Sequence, residues 1–140
     1  MNLPAEQIDS VINDSLQRIA ETLDLDRATL GEVTIDGQDG YVTHCYNKPC
    51  IPPNVVASVM TEVPLVMKKL LAGEAVIVSD VETLDPVDRD NFLRWGTRAD
   101  LILPLIIGGH VRGGLACSSS YARDWPDTIV RRMRLLADVF

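Results

Sequence analysis

The side chains with the most chemistry to offer are few: the thiols of Cys45, Cys50 and Cys117 and the imidazoles of His44 and His110. A zinc site needs three or four Cys, His or acidic ligands at short, repeating spacings. His44 and Cys45 are neighbours in a segment of strand character and so point to opposite faces, and Cys117 lies far down the chain. No metal-ligand spacing results. No glycine-rich loop leads into a helix in the way that cradles phosphate. The acid pairs Asp24/Asp26 and Asp88/Asp90 read as helix-end and surface charges, and His110, just after a turn, reads as solvated. The residues predict a domain that is not an enzyme, and they leave any cofactor unassigned.

Totals narrow the partners. The 140 residues are enough for one domain with a core and short for two. Hydrophobic residues make up 46% and charged residues 24%, the balance of a folded chain. A formal net charge of −7 repels phosphate backbones, which argues against nucleic acid as a partner. Arg131, Arg132 and Arg134 form the one basic cluster and read as the wet face of a helix. No apolar run approaches the ~20 residues of a membrane span, and the first residues lack the pattern of a secretory signal. Three thiols without a pairing framework point to the reducing cytoplasm.

Several elements must position these residues. Ile8, Val11, Ile12, Leu16, Ile19, Ala20 and Leu23 recur at helical spacing, which predicts an amphipathic helix within residues 1–24. The period then changes. Thr29 to Ile35 and Tyr41 to Tyr46 are rich in β-branched and aromatic residues around the turn signal Asp36-Gly37-Gln38-Asp39-Gly40, an antiparallel hairpin. "NKPCIPPN" is a proline-broken loop. A helix is predicted from near Thr61, with Pro64 in its first turn and Gly73 past its end, followed by a short strand over Ala75 to Val78. Asp85-Pro86-Val87-Asp88 opens another helix carrying Phe92, Leu93 and Trp95 and stopping at Gly96. A last helix over 126–140 is predicted to bury Ile129, Met133, Leu136 and Phe140. It ends without a cap, which predicts a truncated helix and a chain that is one fragment of a longer protein.

The stretch "RADLILPLIIGGHVRGGLACSSS" is a long hairpin around Gly108-Gly109. With an unbroken two-residue turn, Leu103 faces Gly114 and Leu101 faces Ala116 on one side, and Pro104 faces Gly113, Ile102 faces Leu115 and Asp100 faces Cys117 on the other. The shallow floor of Gly114 and Ala116 is then expected beneath the terminal helices. The reverse face, under the middle segments, is expected to hold either an ordinary filled core or a small-molecule pocket.

The order helix, hairpin, helix, short strand, helix, long hairpin, helix resembles that of GAF domains. So do the stretches "LDLDRATLGEV", "GEAVIVSDVETL", "GTRADLILPLIIGGHVRGGLACSSS" and "WPDTIVRRMRLLADVF", in that order across nearly the whole chain. The resemblance implies an α+β fold: a central antiparallel sheet of five to six strands, terminal helices on one face, and a lid with a ligand pocket on the other. It implies a single domain over residues 1–140 that serves as a sensory, ligand-binding module of a bacterial signalling protein. Sensor histidine kinases and other two-component or transcription regulators are the parent proteins it suggests, with a homodimer through the terminal helices. Members that carry a chromophore contact it on the face matching Ile102 and Pro104. Ile102, Pro104, Leu115 and Cys117, with Met67, Phe92 and Trp95 from the lid, are therefore the expected lining, and a small apolar or aromatic molecule the expected ligand.

Two alternatives remain open. One is a structural dimerisation module without ligand. The other is an enzyme similar to the GAF-type reductases of free methionine sulfoxide, in which "NKPC" makes Cys50 the redox residue and Cys45 or Cys117 its resolving partner. Bilin-attaching members place a cysteine ahead of a histidine, and cyclic-nucleotide-binding members carry an Asn-Lys-Phe-Asp-Glu signature. This sequence contains neither pattern.

Overall fold

A computed structural model describes residues 4–49 and 58–140. The first helix, α1, spans Ala5–Leu23. Its stripe buries Leu16, Ile19 and Ala20, and it ends on Asp24 in the left-handed conformation (φ 54°), whose N–H reaches back to the Ala20 and Glu21 carbonyls. A short polar residue tolerates that cap better than a branched one. Strands β1 (Arg27–Val33) and β2 (Gly40–Asn47) form the first hairpin. The helix expected near Thr61 is two helices, α2 (Val59–Glu62) and α3 (Pro64–Leu71). They part at Val63, because a residue ahead of proline is driven out of helical geometry. Strand β3 (Val76–Val78), a single 3-10 turn (Val81–Thr83) and helix α4 (Pro86–Arg94) follow. The long strands β4 (Ala99–Ile107) and β5 (His110–Ser119) and the helix α5 (Asp127–Ala137) complete the chain.

The described strands form one antiparallel sheet in the order β2-β1-β5-β4-β3, at the lower end of the expected five to six. One face carries α1 and α5: Leu16, Ile19, Val130 and Met133 pack with Trp125 on Ala28, Leu30, Leu101, Leu103, Leu115 and Cys117. Of the residues expected inward at this end, Met133 is buried and Ile129 and Phe140 pack partly buried on the same core, while Leu136 is exposed and Val130 and Ala137 are buried instead. The other face carries the lid. Val63, Val66, Met67 and Leu70 with Phe92 and Trp95 cover Ile102, Val76 and Val78. Phe92 and Trp95 meet edge to face at 5.6 Å.

Gly108 and Gly109 make the expected turn, both with positive φ (59° and 80°). The pairing beyond it corrects the expectation. Ile107 faces His110 and Ile106 faces Val111, but Leu105 then faces Gly113, leaving Arg112 as an extra, bulged residue. From there each partner is one place off: Pro104 meets Gly114, Leu103 meets Leu115, Ile102 meets Ala116 and Leu101 meets Cys117. A shift of one residue turns a strand over. Leu115 and Cys117 therefore lie beneath the terminal helices, and the small residues Gly114 and Ala116 lie beneath the lid.

Candidate functional site

Between the lid and the sheet lies a cavity of about 90 Å³. Its floor is Gly31, Gly114, Ala116 and Ile102, its roof Val63, Val66, Met67 and Leu70, and its inner wall Phe92 and Trp95. The floor is low because Gly114 has no side chain; a Cβ there would stand 3.1 Å from the tip of Leu70. These walls are carbon, which favours an apolar occupant.

One end is different. Three strands contribute a polar row on the cavity face: Arg27 of β1 pairs with Ser118 of β5, which pairs with Asp100 of β4. Asp100 and the neighbouring Thr29 line the cavity. Asp100 is buried, and its Oδ1 accepts a hydrogen bond from Ser118 Oγ at 3.2 Å. Burial raises its pKa to about 7, against the lowering effect of the Ser118 bond and the Arg27 charge. Arg27 is itself buried. Its Nε donates to Asn47 Oδ1 (2.7 Å), its Nη1 to Thr97 Oγ1 (3.2 Å) and its Nη2 to the Trp95 carbonyl (2.7 Å). Burial lowers the guanidinium pKa, partly countered by Cys45, Asp100 and Asp26. The Trp95 bond ties the end of α4, and with it the inner wall, to the sheet.

The lid is fastened at its entrance by Asp39 in the first hairpin. Its Oδ1 accepts from the Met60 and Gly40 N–H groups and its Oδ2 from Ser58 Oγ. Burial pushes this carboxyl up, but these bonds outweigh it and hold its pKa below the usual value. Tyr41 and Glu32, also at the cavity's edge, bond to each other at 2.9 Å.

Of the residues expected to line a pocket, Met67, Phe92, Trp95 and Ile102 do so. Pro104 is on the same face, opposite Gly114, but outside the lining. Leu115 and Cys117 are corrected to the opposite face by the bulge, where both are buried in the helix-side core. Burial pushes the Cys117 thiol far above its ordinary pKa. Cys45 pairs with Thr29 and so belongs to the cavity face, with its sulfur 3.5 Å from Thr29 Oγ1. Cys45 and Cys117 are thus separated by the sheet. Cys50 lies outside the described residues. Sequence reasoning missed Arg27, Thr29, Asp100, Gly114 and Ala116; the available signal was a lone acid inside the apolar run "ADLILPLII", since acids are rarely buried without a partner.

A family model described as GAF domain matches residues 7–140. The chain belongs to the GAF domain family. Solved structures of GAF domains share its fold. The blue-light-absorbing form of the PixJ GAF domain from Thermosynechococcus elongatus has a TM-score of 0.80 at 17% identity, covering 99% of this chain and 86% of that one. GAF3 from Slr1393 of Synechocystis sp. PCC6803, in its photoproduct state, has a TM-score of 0.78 at 18% identity, covering 93% and 88%. The phycocyanobilin-bound GAF domain of a cyanobacterial phytochrome has a TM-score of 0.77 at 16% identity, covering 93% and 80%. No curated protein sequence matches the chain. In this GAF domain, no group of three or more His, Cys, Asp or Glu among the described residues is placed to hold a metal, and no described helix is long and apolar enough to cross a membrane.

Proposed function

We propose that this GAF domain is a non-catalytic sensory module whose cavity takes a small, largely apolar or aromatic molecule and passes its occupancy to the terminal helices. The observation that carries this reading is the cavity itself, built on the face opposite α1 and α5 where β5 supplies Gly114 and Ala116. Strands β1, β4 and β5 serve both faces at once. Thr29, Ile102 and Ala116 touch the cavity, while their sequence neighbours Ala28, Leu101 and Cys117 pack under the helices. A ligand that shifts those strands shifts the seats of α1 and α5, and differential affinity for two helix packings is all that signalling requires. The output is then a kinase or transcription-regulating domain of a bacterial signalling protein in the cytoplasm, reached through the terminal helices.

Size argues for a compact ligand. An apolar cavity near 150 Å³ holds about one benzene ring, and this one is about 90 Å³. Several of the solved structures hold bilins, and a four-ring chromophore would require the lid to open far beyond this geometry. Separation of Cys45 and Cys117 by the sheet, and the burial that keeps Cys117 protonated, weigh against cysteine redox chemistry between them.

Native mass spectrometry of the freshly purified protein tests the reading. We expect a retained small molecule that is absent from the folded variant Ala116→Leu, whose side chain fills the floor. A protein that carries no molecule and takes up no toluene would refute it and favour the purely structural dimerisation module. An observation that favours dimerisation, with or without ligand, is the groove between α1 and α5, bordered by Ile8, Val11, Leu136 and Val139, all exposed.

A further inference from the structure

Carbon walls explain why the cavity favours an apolar body, but they do not explain why it ends on a buried acid. Asp100 sits near the start of β4, buried on the lid side of the sheet, where a leucine would pack without any desolvation cost. Its carboxyl accepts from Ser118 Oγ at 3.2 Å and from the backbone N–H of Leu101. A carboxylate offers about four acceptor positions, so the Ser118 and Leu101 donors leave acceptor capacity on a group that lines the cavity. The Arg27 guanidinium donates to Asn47, Thr97 and the Trp95 carbonyl, which makes it a fixed structural charge behind the acid. Tyr41 and Glu32 satisfy each other at the entrance.

We propose that the cavity selects an uncharged, single-ring or similarly compact apolar molecule bearing one O–H or N–H donor, held with that donor on the Asp100 carboxylate and its carbon body against Met67, Leu70, Phe92 and Ile102. The inference rests on the reading of the cavity as a ligand site and adds the chemistry of the ligand. An anionic ligand would set a second negative charge beside the buried Asp100. A cationic one would bring a second positive charge toward Arg27. A neutral donor adds no charge and uses an acceptor already present. Leu70 and the unbranched Met67 allow the roof to yield to one ring.

The groups that set the charge state of Asp100 come from three strands, Ser118 on β5, Arg27 on β1 and the Leu101 N–H on β4 itself, and the Cys117 thiol on β5 senses its charge. Cys45 on β2 interacts with Arg27. The covering helices α3 and α4 present Val66, Met67, Leu70 and Phe92 to the cavity, without a charged group. With a carboxyl that titrates near 7 in the ligand-free protein, a donor that binds only the ionised form meets about one-tenth of it at pH 6 and about nine-tenths at pH 8.

The probes are phenol and toluene, which match in shape and differ by the donor, with benzoate as the charged comparison. Binding is read by calorimetry and by the fluorescence of Trp95 in the cavity wall. We expect phenol to bind at least tenfold more tightly than toluene at pH 8, and benzoate to bind more weakly than either. Phenol affinity should rise about tenfold from pH 6 to pH 8 in the wild type and stay level in Asp100→Asn. In Asp100→Leu the preference for phenol should vanish while toluene still binds, which also reports that the variant keeps its cavity. Equal affinity for phenol and toluene, or phenol affinity that falls as pH rises, would overturn the donor assignment and leave the cavity as an apolar site. Failure of both probes to bind would overturn the ligand reading as well.

Discussion

Gly113 and Gly114 are adjacent, and the structure assigns them opposite responses to the same small change. A Cβ added at Gly113 would stand 2.4 Å from the backbone oxygen of Gly31 on β1. Carbon–oxygen contacts of that kind do not come below about 3 Å, so β1 and β5 would have to part by more than half an ångström at the centre of the sheet. Backbone cannot swing away as a side-chain tip can. Overpacking costs about 1–3 kcal/mol, and weakening of the adjacent ladder bonds adds about 1 kcal/mol, for a loss of roughly 2–4 kcal/mol in Gly113→Ala. At Gly114 the nearest atom is Leu70 Cδ2 at 3.1 Å, the end of a flexible side chain over a cavity. Gly114→Ala also removes freedom from the unfolded chain, worth about 0.4–1 kcal/mol. It should therefore fall within about 0.5 kcal/mol of wild type. For 140 residues the unfolding entropy makes 1 kcal/mol about 3 °C, so thermal unfolding followed by circular dichroism should place Gly113→Ala about 6–12 °C below wild type and Gly114→Ala within about 2 °C. Two variants that lose the same stability, or an unperturbed Gly113→Ala, would refute the bulged register and the position of the floor.

Other expectations follow from the same geometry. The folded Asp100 carboxyl is raised from 3.8 to about 7, so the native state binds the extra proton and Asp100 favours folding most at low pH. That contribution is lost between about pH 4 and pH 7, amounting to about 4 kcal/mol; urea unfolding should show Asp100→Asn gaining on wild type as pH rises through this window. Asp39 has the opposite sign. Its depressed pKa means that its stabilisation is present above about pH 4 and fades as its carboxyl protonates below that. Asp39→Ala should cost about 1 kcal/mol and accelerate amide exchange in α2 rather than in α1. If the terminal helices pair two copies, Val11→Glu combined with Val139→Glu should convert the dimer to monomer in sedimentation velocity without lowering the unfolding temperature, because both side chains are exposed in the single chain.

Most elements were legible because local chemistry specifies them. The stripe from Ile8 to Leu23 could only be an amphipathic helix, and Asp85-Pro86 and Gly96 bracket α4 as start and stop. The residues of β4 could also be sorted into two sets, since successive residues of a strand point to opposite faces. What could not be read is β5. Its residues Gly113, Gly114, Leu115 and Ala116 give no clear alternation, and the bulge at Arg112 leaves no mark on composition or on the glycine turn. Leu115 and Cys117 were placed with the pocket for that reason alone. Asp100 was passed over because an acid at the start of an apolar strand reads as a flank, and its burial arises only when β5 and the lid close over it.

The bulge is also the origin of the site. In the unbulged register Leu115 and Cys117 would project under the lid, among Met67, Leu70 and Phe92, and their volume would occupy the cavity. Gly114 and Ala116 would then lie beneath α1 and α5, leaving unfilled space in the helix-side core, where lost contacts are most costly. One extra residue at Arg112 exchanges the two sets. It seats Leu115 and Cys117 where Leu16 and Met133 need partners and withdraws side-chain volume from the lid side by the same step. A tightly packed core for the helices and open space for a guest are therefore two consequences of a single backbone irregularity. Gly113 follows that irregularity directly, at a point where β1 approaches β5 more closely than any Cβ would allow.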